Sequence, residues 1–246
     1  MDPKRTRAWT HGFTLLEMLV SLGIIGVLLA ILLPALSGVR GTAQTLQSQS
    51  NLRNLYIGMM LYVEGEQSYP CIIAGELYPD IDGTSFAHSY WEVENVWHGI
   101  IYPYFPHDEA LEVFFSPGLD RFSARAFPSY AYSHSFVGDP VIWSGRDLTG
   151  TVDASRIERP ARAASVRFPS AKVILWDRAL GFELDPIKMD GTGNIAQATP
   201  VGFDDGSVHV RVPAVASMAI ANQLHGRTSA RVNLHNTPNG VHGRDY

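Results

Sequence analysis

One carboxylate is set apart by its surroundings. From Phe13 to Leu36 the chain runs for 24 residues with Glu17 as the single charged side chain. A charge at the centre of a bilayer costs about 2.5–3.5 kcal/mol on insertion scales, so a lone acid in such a run is read as functional and in need of a partner. Directly upstream stand Lys4, Arg5 and Arg7, and the apolar run opens at a Gly12–Phe13 junction. The basic leader, the junction and the buried acid form one constellation.

The other reactive side chains form none. There is no Gly-x-Ser-x-Gly, no His-Glu-x-x-His and no Walker loop. Ser116-Pro117-Gly118 and Ser144-Gly145 read as turns. The nine histidines are scattered; His225, His235 and His242 fall near the C terminus, where solvation is expected in preference to metal binding. Cys71 is the only cysteine, so no intrachain disulfide can form. The net charge is −5, and the basic leader leaves the rest of the chain more acidic still. Phosphates call for a basic face, so no nucleic acid partner is expected. The chain is not expected to be an enzyme.

The element that positions Glu17 must be long. A run of this length as a helix covers roughly 36 Å at about 1.5 Å per residue, enough to span a bilayer. An ordinary secretory signal has a shorter apolar core and would leave the acid without a purpose. A plain membrane anchor explains the length and the cytoplasmic basic flank, but neither the acid nor the junction. All of these features together resemble the type IV prepilin signature: basic leader, Gly12, then Phe13-Thr14-Leu15-x-Glu17 and an apolar helix.

The resemblance implies a membrane prepilin peptidase that cuts between Gly12 and Phe13, followed by N-methylation of the new amine on Phe13. It also implies that Glu17 pairs with the terminal amine of a neighbouring subunit, so that two costly charges neutralise each other in a low-dielectric medium. Many pilins carry a C-terminal disulfide loop; its absence leans toward pseudopilin-like relatives. The partners implied are other pilin or pseudopilin subunits and an inner-membrane assembly platform.

Beyond the membrane segment, Pro34 is expected to kink the helix. Residues 42–51 are polar without a breaker. Leu52, Leu55, Tyr56, Met59, Tyr62 and Val63 then recur at i, i+3, i+4 and i+7, which predicts a helical stripe running to about Glu66 and packed on a domain. Phe86, Tyr90, Trp91, Trp97, Tyr102, Tyr104, Phe105, Phe114 and Phe115 cluster next and are expected to be core. The competing reading makes residues 86–115 an exposed patch of a membrane-tethered binding module for a glycan or protein, exported by the prepilin route.

Ser129–Phe136 alternates as a strand, and Pro169–Asp177 reads as a central strand covered on both faces. Val201-Gly202-Phe203 and Val208–Val212 flank Asp204-Asp205-Gly206-Ser207, a hairpin signal. Residues 213–224 are expected to form a short helix. The strand ending in Asp177 and the Phe203-x-Asp205-Gly206-x-Val208 hairpin resemble the prepilin-like proteins of planctomycete-type bacteria. The histidine expected ten residues before Asp205 is replaced here by Ile195.

The expected architecture is α+β and pilin-like: a long N-terminal helix on an antiparallel sheet. Its parts are a leader (1–12), a transmembrane or filament-core helix (13–36), an amphipathic continuation (37–66), a globular domain (67–224) and a flexible tail (225–246). The expected function is a structural subunit of a type IV pilus-like or type II secretion pseudopilus filament, single-pass in the inner membrane with the domain in the periplasm or on the filament. No cofactor is expected. Some major pseudopilins hold calcium in a C-terminal loop, and the carboxylates here for such a hard-oxygen shell are Asp185, Asp190, Asp204 and Asp205. Asp205-Gly206 is already explained by the turn.

Overall fold

The computed structural model describes residues 14–73, 76–79, 85–105, 112–119, 128–148, 153–180, 194–224 and 232–246. The chain divides into two compact units, with the boundary between Ala43 and Gln44. The helix α1 (Leu15–Glu66) supplies the described part of the first unit up to Ala43, and from Gln44 onward it belongs to the second.

In the first unit the helix continues through Pro34. From Leu15 to Leu36 its side chains are exposed and, apart from Glu17 and Ser21, apolar all round, with Leu15 at 84% and Ile31 at 68%. A helix of this kind is stable only in lipid or against other apolar helices.

In the second unit one face of α1 is buried. Leu52, Leu55, Met59 and Val63 form the stripe, and Ser48 and Asn51 extend it one turn earlier. Gln67 ends the helix in the left-handed region (φ 58). Its backbone N–H bonds to the Val63 carbonyl at 2.8 Å, and its Nε2 donates to the Glu64 carbonyl at 2.7 Å. Carbonyls that the last turn leaves open are thereby satisfied.

Strands β1 (Leu77–Pro79) and β2 (Ser85–Ala87) pair as a small antiparallel ribbon. Helix α2 (Val93–Ile101) follows, burying Val93, Val96, Trp97 and Ile101 on one face. The main sheet is antiparallel, in the order β3 (Tyr130–Tyr132), β4 (Val173–Asp177), β5 (Thr199–Phe203) and β6 (Val208–Arg211). A short helix α3 (Ala154–Ile157) lies in the β3–β4 connection. All of β4 is buried, which its unbroken apolar sequence requires. The register shifts between Val173 and Leu175, a bulge opposite Gly202 and Phe203.

Two cores result. One joins α1 and α2 to Tyr130, Tyr132, Ile174 and Leu175. The other gathers Val173, Trp176, Val201 and Phe203 under Ala216, Leu234 and Tyr246.

The second core corrects the expected flexible tail over 225–246. Residues 232–246 are packed: Leu234, Asn236 and Thr237 are fully buried, and Val241 and Asp245 nearly so. The physical reason is that the outer face of β4 and β5 is apolar, and this segment is what covers it. Residues 225–231 lie outside the described residues. Residues 213–224 contain only a 3-10 turn at Pro213–Val215 in place of the expected helix. The strand expected over 129–136 stops at Tyr132, because His134–Phe136 turns into a 3-10 helix.

Candidate functional site

The N terminus of α1 is built by Thr14 and Glu17. Thr14 N–H donates to Glu17 Oε2 at 2.8 Å, Thr14 Oγ1 donates to the same oxygen at 2.9 Å, and Glu17 N–H donates to Thr14 Oγ1 at 3.2 Å. This reciprocal pair is a capping box, and it satisfies N–H groups that have no partner inside the helix. The Thr-x-x-Glu spacing encodes it and was a readable local signal. Gly12 and Phe13 lie outside the described residues.

In the second unit, polar chemistry is concentrated where α1 and the C-terminal segment meet the sheet. Asp177, at the end of β4, is fully buried. Its Oδ2 accepts from Ser48 Oγ and Ser116 Oγ, each at 2.7 Å, and its Oδ1 accepts from the N–H groups of Ala179 and Leu180 at 3.0 Å. Tyr130 Oη donates to Ser48 Oγ at 3.2 Å. Asn51 Nδ2 donates to the Phe115 carbonyl at 3.2 Å. Burial pushes the Asp177 carboxyl up, and these donors act against it.

On the other side of β4, Lys172 is fully buried. Its ammonium meets Thr237 Oγ1 and lies 3.1 Å from Asp245 Oδ2. Asp245 also accepts from Val173 N–H at 2.7 Å. Burial lowers the lysine and the Asp245 charge raises it. The result is a clasp of the C-terminal segment onto the sheet.

Of the calcium carboxylates, Asp185 and Asp190 lie outside the described residues. Asp204 turns inward, where its Oδ1 accepts from Tyr69 Oη at 2.5 Å. Asp205 Oδ1 accepts from Ser207 N–H at 2.9 Å inside the hairpin turn. The Asp204 side chain thus faces the core, and Asp205 braces the turn from an exposed position. Trp91 and Trp97 are buried, and Tyr102 is half-buried, so these rings present no open aromatic face. His235 and His242 lie in the packed segment; His235 sits beside His134 and Glu94, a grouping from three distant stretches that local sequence does not reveal.

Residues 10–33 match the family described as the prokaryotic N-terminal methylation motif. No curated protein and no solved structure matches the chain. The match carries the prepilin-type signal of type IV pilin-like and pseudopilin-like proteins. Among the described residues, α1 is the one helix long and apolar enough to cross a membrane, which fits a single-pass anchored protein.

Proposed function

We propose that this protein is a structural subunit of a type IV pilus-like or type II secretion pseudopilus filament. Prepilin peptidase cuts it between Gly12 and Phe13, Phe13 is N-methylated, and the second unit stands in the periplasm or on the filament. The observation that carries the reading is the methylation motif over residues 10–33 leading into an apolar helix with one charge, Glu17. The cut would create an amine on the residue immediately before Thr14, whose N–H the Glu17 carboxylate already accepts. A neighbouring subunit's amine is the partner that would neutralise that carboxylate in a filament core. Burial of Trp91 and Trp97 favours the filament reading over an aromatic docking module.

The test is processing and assembly in a host with a prepilin peptidase and a filament system. Wild-type protein should yield a shortened chain beginning with N-methylated Phe13 by mass spectrometry. Gly12→Ala should remain full-length. Glu17→Ala should insert in the membrane yet be missing from sheared filaments. A mature band from Gly12→Ala, or normal filament incorporation of Glu17→Ala, overturns the proposal.

A further inference from the structure

We propose that Glu94, His134 and His235 form a binding site for a borderline divalent transition metal, Zn²⁺ in the first instance. Glu94 comes from α2, His134 from the 3-10 turn after β3, and His235 from the C-terminal segment. One donor atom from each lies within 4.8 Å of the others. The same carboxylate oxygen, Glu94 Oε2, is 3.2 Å from His235 Nε2 and 3.8 Å from His134 Nε2. Ligands on a tetrahedral Zn²⁺ with bonds of about 2.0–2.1 Å stand roughly 3.3 Å apart, so small side-chain shifts close the site.

The imidazoles are held in place by their backbones. Ser135 N–H donates to the His235 carbonyl at 3.0 Å, and Ser135 Oγ donates to the same oxygen at 3.0 Å. Ser133 Oγ donates to the carbonyl of Leu234, a residue held in the left-handed region (φ 70). The two rings lie 4.7 Å apart between centroids, tilted by 45°. Trp176 packs edge-on against His235 at 4.5 Å, and Trp91 against His134 at 6.0 Å. This is a nearly dry box in which both histidines are buried and the Glu94 side chain keeps 19% of its exposure, leaving a route for an ion and a fourth, water ligand.

Two imidazoles and one carboxylate select a borderline ion over Ca²⁺ or Mg²⁺, which prefer oxygen shells. Arg178 is the opposing charge: it interacts with Glu94, and its guanidinium also donates to the Pro128 carbonyl at 3.2 Å. An ion here would tie α2, the turn after β3 and the C-terminal segment together in a chain whose single cysteine permits no intrachain disulfide.

The test uses the full chain in detergent, stripped of metal with a chelator and titrated with Zn²⁺, Ca²⁺ or Co²⁺ alone. Zn²⁺ should bind at one per chain and raise Tm, whereas Ca²⁺ should do neither. Co²⁺ should give the visible bands of a tetrahedral site and quench tryptophan fluorescence through Trp91 and Trp176. Glu94→Gln and His235→Gln should each weaken Zn²⁺ by more than the roughly 10–100-fold that loss of an outer-shell partner costs. His242→Gln should not. An unmoved wild-type Tm with no Co²⁺ bands overturns the site, as does Zn²⁺ affinity that survives both cluster variants. Should a variant fail to fold, the wild-type Co²⁺ spectrum decides alone.

Discussion

Tyr69 Oη donates to Asp204 Oδ1 at 2.5 Å, joining the residues just after α1 to the turn between β5 and β6. Tyr56 Oη, from α1 itself, donates to the Asp204 carbonyl at 2.7 Å. One aspartate therefore receives both tyrosines, and the hairpin is pinned to the helix at its tip.

This pairing gives stability a pH dependence. Burial pushes the Asp204 carboxyl up to about 7, with the Tyr69 hydrogen bond and the Lys172 charge pulling the other way. Between its ordinary value of 3.8 and about 7, the folded chain holds a proton that the unfolded chain has released. This contribution is fully present below the lower value and is lost as pH rises through about 7. In Asp204→Asn, Tm should therefore fall less steeply across that window than in wild type. Parallel Tm-against-pH curves for the two proteins would refute it. His98 works in the opposite sense, since burial lowers its imidazole to about 4 and stability from it grows as pH rises from there to 6.5.

Ser48 and Ser116 both donate to Asp177 Oδ2, so the two bonds are not independent. Removing one donor from a buried carboxylate costs on the order of 1–3 kcal/mol. Ser48→Ala should destabilise by that order in denaturant unfolding, and Ser116→Ala likewise. The double variant should depart from the sum of the two, because a second loss leaves the same oxygen without either hydroxyl. Simple additivity would show that the hydroxyls act separately.

The parts of this fold legible in sequence are those with a local signature. Leu52, Leu55, Met59 and Val63 carried a helical period, Val173–Asp177 an unbroken apolar run, and Asp205-Gly206 a turn. The cover over the second sheet face had none. Asn233, His235, Asn236 and Thr237 look like solvent-seeking residues, yet they are buried. Their partners include Ser135, whose Oγ meets Thr237 Oγ1 at 3.2 Å across 102 positions, and Lys172, whose ammonium meets the same Thr237 oxygen across 65. Polar burial of this kind is encoded in pairs far apart along the chain, and no window of neighbouring residues shows both members. Ser48 and Asn51 were hidden in the same way: their faces are set by the helix, but their burial depends on Asp177, Phe115 and Tyr130. Glu94, His134 and His235 share that property.

Gly206 isolates the contact between the hairpin and α1. Its φ is +82, and a Cβ added there would stand 2.9 Å from Tyr56 Cε1. Gly145 has a similar φ of +76, with nothing within 4 Å of the same added atom. A side chain in the left-handed region costs roughly 1–2 kcal/mol, and alanine stiffens the unfolded chain by about the same amount at either position. These effects cancel when the two substitutions are compared. Gly145→Ala should thus show only these two shared effects. Gly206→Ala should cost more, because the Tyr56 ring must move and its bond to the Asp204 carbonyl moves with it. Equal losses in denaturant unfolding would mean that the ring yields freely and that Tyr56 does not pin the turn.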